Sequence, residues 1–231
     1  MTTKTPPEHS VKLNGTTPRF GGGLFHTGVI DPPWPYQKAS NDKKLQGYIG
    51  QHGKTHYDTL TIADMAALPV GNLIDGYLFL WCSGPWIPDA LALIKAWGFD
   101  YITAIHWYKR NPSGKVPYGP GYWYRASVET ILLARKPGAP AIRTQERNVF
   151  EAARGKHSAK PEAFQDHVER HFPGPYVELF ARRQREGWTC LGDECPGDGD
   201  DIRVSLPKLL VSDQPVIRRR VLKRTSPRTQ V

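Results

Sequence analysis

Short apolar runs, separated by polar stretches rich in glycine and proline, organise this chain. Gly28-Val29-Ile30 is apolar and stops at Asp31-Pro32-Pro33-Trp34. Two successive prolines cannot continue a sheet ladder, because neither has an N–H to donate. Tyr77-Leu78-Phe79-Leu80-Trp81 is apolar without alternation, the pattern of a central strand covered on both faces. Tyr101–Tyr108, Val128–Ala134, Tyr176–Phe180 and Trp188–Leu191 read as further strands. A helix is predicted over Pro88–Trp97, with Leu91, Ile94 and Trp97 inward and Gly98 as its stop. Another runs over Pro161–His171, with Phe164 and Val168 on one face. Thr61-Ile62-Ala63-Asp64 reads as a capping box with Asp in place of Glu, opening a short helix to Leu68. Strands alternating with helices imply an α/β fold with a mostly parallel sheet and helices on both faces. Ligands of such sheets bind beyond the carboxyl ends of the strands, and Asp31 stands at one.

The same pattern divides the chain. Residues 1–23 form a polar leader, 24–195 the folded domain, and 196–231 an acidic Gly/Pro linker followed by a basic tail, expected to be disordered. Gln37–Tyr57 is polar and carries Gly47, Gly50 and Gly53. A loop of that length inside a compact domain suits a lid or binding loop. The 231 residues suit one α/β domain plus tails. A net charge of +9 fits a polyanionic partner such as nucleic acid. The three cysteines, Cys82, Cys190 and Cys195, are too few for a disulfide framework and are not spaced as zinc ligands. A reducing, cytoplasmic setting follows from that usage. No apolar run is long enough for a membrane span, and the N-terminal residues lack a signal-peptide core.

Asp31-Pro32-Pro33-Trp34 suits one reaction in particular. The exocyclic amine of adenine is a poor nucleophile because its lone pair is delocalised into the ring. Asp31 can accept one of its N–H bonds and the carbonyl between Pro32 and Pro33 the other. With both protons held, the nitrogen can pyramidalise towards an electrophilic methyl group. The rigid Pro-Pro unit sets the acceptors in place beforehand, and Trp34 can stack on the base. On these four residues alone, a proline turn capped by Asp and a buried Trp fits equally well.

Further segments follow the motif in order: "HYDTLTIADMAALPV", "YLFLW", "ALALIKAWGFDYITAIHWYKR", "GYWYRASVETILLARKPG", "HSAKPEAF" and "FPGPYVELFARRQREGWTCLGDE". With them the chain resembles, from about Val29 to Glu194, the MT-A70 family of adenine-N6 methyltransferases, which use S-adenosylmethionine. The resemblance implies a class I, Rossmann-like methyltransferase sheet with permuted motif order, the catalytic motif preceding the cofactor strand Tyr176–Phe180. No GxGxxG stands at that strand; "ELFARRQREG" does. Carried over residue by residue, the resemblance assigns Asp31, Pro32 and Pro33 to the target amine, with Asp31 also bordering the cofactor. Trp34 would shape the base pocket. Lys160 would approach the methionine carboxylate, Glu178, Leu179 and Phe180 would face the cofactor, and Arg182 would lie near the ribose. Asp193 and Glu194 would contact the ribose or adenine. Asp193 stands where the family has Asn; an ionised Asp only accepts hydrogen bonds. Gln184 and Arg185 depart from the family's His-Asn. His56 and Tyr57 match a substrate-side loop, and Glu129 is expected in a structural ion pair.

The family methylates adenine in DNA or RNA. Lys43, Lys44, Lys54, Lys109, Arg110 and Lys115, with the basic tail, are expected to neutralise phosphates. The compact chain looks more like a bacterial or phage DNA enzyme than like the messenger-RNA enzymes, which carry additional domains. An RNA adenosine methyltransferase is the first alternative, and a silent nucleic-acid-binding subunit the second. The intact motif argues against silence, and Asp31 argues against cytosine N4 as target. A homodimer is compatible with the two tryptophan-rich loops.

Overall fold

The computed structural model describes residues 23–35, 59–111, 113–117, 119, 123–155 and 159–211. Seven strands form one sheet: β1 (Phe25–Ile30), β2 (Ile74–Cys82), β3 (Asp100–Arg110), β4 (Val128–Arg135), β5 (Val149–Ala153), β6 (Tyr176–Leu179) and β7 (Trp188–Leu191). Their order across the sheet is β5-β3-β4-β2-β1-β6-β7. β4 runs antiparallel to both β2 and β3, and every other pairing is parallel. This is the expected class I arrangement with permuted order, since motif strand β1 precedes its neighbour β6 in the chain. Gly28 leaves room for the Ile74 side chain: a Cβ there would stand 2.2 Å from its Cδ1, so Ile74 would have to move aside.

The helices are α1 (Ile62–Ala67), α2 (Val70–Leu73), α3 (Ile87–Ala96), α4 (Glu162–His171) and α5 (Ile202–Val211). One sheet face packs Phe25, Leu78, Leu80, Leu132 and Val177 against α1, α2, α3 and α5. The opposite face packs Val29, Phe79, Trp81 and Ile131 against Phe164 and Val168 of α4. The capping box at α1 is formed as read: Thr61 Oγ1 accepts from the Asp64 N–H, and Asp64 accepts from the Thr61 N–H. Gly98 ends α3 with φ +75°.

Several boundaries differ from the sequence reading. α3 turns Ala90, Leu93 and Ile94 inward and leaves Leu91 exposed, because the inward stripe at i, i+3, i+4 and i+7 starts from Ala90, which puts Leu91 outside it. The strand read as Tyr176–Phe180 ends at Leu179, and Phe180 takes a left-handed φ of 60°. Edge strand β5 was not anticipated: Glu and Ala are weak strand formers, and only Phe150 and Ala152 alternate inward.

The segment 196–231 was expected to be disordered, but its first part is folded. Asp198 accepts from the Gly192 N–H and the Ser205 hydroxyl, and Asp201 opens α5 by accepting from the Arg203 N–H. Ile202, Leu206 and Leu209 then join the core. Their i, i+4, i+7 spacing was present in the sequence, masked by the preceding acidic run and by Pro207. The remainder of the basic tail, 212–231, and the leader up to residue 22 lie outside the described residues.

Glu178 on β6 points to the α4 face, where Gln165 donates to it. Burial pushes its carboxyl up to about 7; Gln165, Arg183 and Arg185 oppose the rise and the Asp31 charge adds to it. A native-state value above the unfolded one means that the folded protein binds the proton more tightly. That stabilisation is complete below the unfolded carboxyl range, near pH 4.5, and is lost as pH rises through about 7. The Glu178 contribution to thermal stability is therefore expected to fall between pH 5 and 8, by roughly 3 kcal/mol at most. Glu178→Gln is expected to flatten that slope and melt higher than wild type at pH 8. Leu206→Ala is expected to cost about 2–5 kcal/mol in chemical denaturation, whereas a loose tail would register almost nothing.

Candidate active site

A cleft of about 450 Å³ opens at the carboxyl ends of β1, β2 and β6, a size typical of ligand sites, which span roughly 300–1,000 Å³. One wall is the Asp31–Trp34 segment. The Asp31 N–H donates to the Leu179 carbonyl at 3.4 Å, continuing the β1–β6 register for one residue. The Trp34 N–H then donates back to the Pro32 carbonyl at 2.9 Å, making a three-residue turn about Pro33. Proline's locked φ suits the centre of an inverse γ-turn. The Pro33 carbonyl accepts from the Leu60 N–H at 3.2 Å. Trp34 is anchored at both ends of its ring system: Nε1 donates to the Trp81 carbonyl at 3.1 Å, and the rings stack on Trp86 with centroids 5.6 Å apart. The Pro32 carbonyl expected to receive the target amine is thus already bonded once; a carbonyl oxygen has a second lone pair for that role.

Four charges alternate along the floor. Lys160 Nζ lies 2.7 Å from Asp31 Oδ2 and 3.2 Å from Glu129 Oε2, and Lys109 donates to the other Glu129 oxygen. Burial opposes the Lys160 charge, but the two carboxylates outweigh it and raise the ammonium above the ordinary lysine value. Burial likewise opposes the Glu129 charge, and Lys160 with Lys109 still holds it below the usual carboxylate range. Lys160 also lies 5.2 Å from the centroid of the Trp81 ring. Beside this chain, Cys82 lines the cleft; burial first, then Glu129, pushes its thiol up to about 12, so it stays protonated at neutral pH.

The opposite wall comes from the turn after β6 and the segment after β7. Phe180 lines the cleft in its left-handed conformation. Such a conformation at a non-glycine residue costs roughly 1–2 kcal/mol. Arg182 lies 3.6 Å from Glu194, and Asp193 Oδ1 accepts from the Glu194 N–H. Asp201, Ile202 and Arg203 from the start of α5 complete the rim.

Of the expected site residues, Asp31, Pro32, Pro33, Trp34, Lys160, Phe180, Arg182, Asp193 and Glu194 converge on this cleft. Glu178 and Leu179 do not line it. Glu178 is turned beneath α4 by strand alternation, and Leu179 faces the core. Glu129 is in an ion pair, as expected, and lines the cleft as well. Lys109 and Arg110 were expected to meet phosphates, but each is engaged with a carboxylate, Arg110 with Glu151 through two hydrogen bonds. Arg185 pairs with Asp166 and Glu169 of α4, and Gln184 donates to the Pro196 carbonyl. Lys43, Lys44, Lys54, His56 and Tyr57 lie outside the described residues. The sequence reading missed Trp86, Ser83 and the α5 residues. The rule that placed Asp31 at a strand end applies equally to Ser83 and Trp86, which follow β2.

Comparison with known proteins agrees with this geometry. The chain is 30% identical over 211 residues to the Type II methyltransferase M.MunI from Mycoplasma sp, covering 84% of this chain and 86% of that protein. It is 28% identical over 181 residues to the N(6)-adenosine-methyltransferase MT-A70-like protein of Arabidopsis thaliana, covering 76% of this chain and 24% of the relative. The N(6)-adenosine-methyltransferase catalytic subunit METTL3 of Homo sapiens is 28% identical over 183 residues, 76% of this chain and 29% of the relative. The MT-A70 family model matches residues 25–194. A sheet with the motif strand paired on both sides, a cleft at that strand's end and this match over most of the chain together show that the chain belongs to the MT-A70 family of methyltransferases.

Proposed function

We propose that this protein transfers a methyl group from S-adenosylmethionine to the N6 amine of adenine in DNA. The observation that carries the reading is the Asp31–Pro32 acceptor pair, set at the head of the cleft by a proline turn and backed by the Trp34–Trp86 stack. The Lys160 ammonium holds one Asp31 oxygen, while Oδ1 makes no hydrogen bond among the described residues. Oδ1 and the second lone pair of the Pro32 carbonyl are the two acceptors that an amine needs in order to localise its lone pair. The face of Trp34 away from Trp86 offers a stacking surface for the base, worth roughly 1–3 kcal/mol. A base within a duplex would have to leave the stack to reach it.

The donor set fits S-adenosylmethionine. Lys160 has a third N–H beyond those directed at Asp31 and Glu129, suited to a carboxylate. Arg182, Asp193 and Glu194 offer donors and acceptors for hydroxyls, and Phe180 an apolar surface. When bound, S-adenosylmethionine supplies a methyl group on a cationic sulfur. Asp31 with Pro32 aims the amine lone pair, and the Asp31 carboxylate oxygen turned away from Lys160 faces the incoming cation. The amine becomes acidic once methylated, so its proton leaves to water and no dedicated base is required.

DNA as substrate is supported by the two-way coverage with the Type II methyltransferase. The relatives named for adenosine or for RNA are matched over 24% to 58% of their length, against 86% for the Type II methyltransferase. The net charge of +9 suits either nucleic acid.

Methyl transfer from isotope-labelled S-adenosylmethionine to unmodified DNA and to RNA of the same sequence, followed by nucleoside analysis, tests the proposal. N6-methyldeoxyadenosine is the expected product. Asp31→Ala is expected to lower kcat about 100- to 1,000-fold, in the range for removing one preorganised hydrogen-bonding group, with cofactor affinity measured separately by calorimetry. Label confined to RNA would overturn the DNA assignment, and label in neither would overturn the activity. Lys160→Met is expected to weaken S-adenosylmethionine binding about 10- to 100-fold, the worth of one charged hydrogen bond. Unchanged affinity would remove Lys160 from the cofactor site.

A further inference from the structure

Helix α4 carries a second group of chemically capable side chains on the far side of its first turn from the cleft. His167 and His171 are four residues apart, which places them one above the other on a single helix face. Their ring centroids are 4.8 Å apart with the planes inclined at 52°. Glu146, from the connection between β4 and β5, reaches the same point: its Oε1 lies 3.3 Å from His171 Nε2. One donor atom from each of the three residues falls within 4.8 Å of the others. None of the three lines the cleft.

Two observations separate this group from an ordinary surface ion pair. His171 Nε2 is shut off from solvent and makes no hydrogen bond among the described residues, although Glu146 is close. Buried ring nitrogens are almost always satisfied; one that is not, and that faces a carboxylate and a second imidazole, is placed to coordinate. One of the three separations is already that of a coordination shell, and the others lie within 4.8 Å, so that a small turn of His167 would complete it. Ligands held tetrahedrally at about 2.0–2.1 Å from one zinc ion stand about 3.3–3.4 Å from each other, and the His171–Glu146 separation is 3.3 Å.

We infer that Glu146, His167 and His171 form a zinc-binding site, distinct from the catalytic cleft, with water completing the coordination. Two imidazoles and one carboxylate suit zinc and its late transition-metal neighbours better than magnesium or calcium, which prefer all-oxygen shells. The site would be structural. Glu146 belongs to the segment between Arg135 and Val149, whereas the histidines belong to the helix that follows Lys160 in the chain. His167 stacks on Phe164 with centroids 6.2 Å apart, and Phe164 stacks on Phe150 of β5 at 5.8 Å. A bound ion would therefore tie α4 to the β4–β5 connection over the aromatic packing that already joins them.

The test uses the untagged full-length chain, stripped of metal with a chelator. Calorimetric titration with Zn²⁺ is expected to give one site per chain with micromolar or tighter affinity, and saturating Zn²⁺ is expected to raise Tm by several degrees. Mg²⁺ is expected to do neither. Glu146→Gln and His167→Gln are each expected to weaken Zn²⁺ binding at least tenfold, since even outer-shell partners are worth about 10–100-fold. Both are expected to leave the metal-free Tm and methyl transfer near wild type. Should His171→Ala fail to fold, those two variants still decide the matter. Absence of Zn²⁺ binding by wild type would overturn the inference. So would binding of equal strength in the Glu146→Gln, His167→Gln double variant, which would put the ion on other groups, such as the cysteines.

Discussion

The Lys160 ammonium, buried between two carboxylates, is the constraint on which the site depends. Taking an ammonium out of water costs several kcal/mol after relaxation, and only close, well-placed counter-charges offset this. Asp31 at 2.7 Å and Glu129 at 3.2 Å meet that demand, with Trp81 close by. The three charged groups come from different places: the end of β1, the start of β4, and the approach to α4. Their mutual attraction therefore fixes the motif against the sheet and against the helix on its second face. Lys109 extends the alternation, so that Glu129 is paired on both oxygens. Removing any central member would leave an uncompensated charge among apolar neighbours, and each thus secures the others.

Rigidity of a different kind holds the acceptors. The Pro32 carbonyl is oriented by a proline-centred turn, and the Pro33 carbonyl is tied to Leu60 at the start of the next described segment. Trp34 is fixed by a hydrogen bond to the end of β2 and by its stack on Trp86. In the proposed reaction little reorganisation would be left for the transition state, the condition under which fixed dipoles and charges contribute most. Phe180 supplies a strained counterpart across the cleft. Backbone strain of this sort tends to gather where a chain must present itself to a ligand. Here it sits at the carboxyl end of β6, beside the cleft.

The start of α5 gives the cleft part of its rim and ties that rim to the core. Asp198 bonds both the turn after β7 and the first turn of α5, and Ile202, Leu206 and Leu209 anchor the helix on the same apolar face as α1 and α3. Asp201 and Arg203 therefore stand at the cleft because of packing several residues further on. Stability of this helix and shape of the site are coupled through those contacts.

The sequence by itself determined the alternation of strands and helices, the position of Asp31 at a strand end, the Thr61 capping box and the stop at Gly98. Each follows from local rules: periodicity, missing N–H groups and side-chain-to-backbone hydrogen bonds. The family resemblance assigned roles to Asp31, Lys160 and the residues of the cofactor strand but did not say which neighbours each side chain would meet. Only the tertiary structure decided that Lys160 bridges Asp31 and Glu129, that Lys109 and Arg110 are occupied by carboxylates, and that Glu178 lies under α4 rather than in the cleft. It alone decided that 202–211 folds, and it brought Glu146 to a pair of histidines over 20 residues away. Those outcomes depend on strand order and on which face of the sheet each side chain takes. Both are set by long-range packing, which no local pattern encodes.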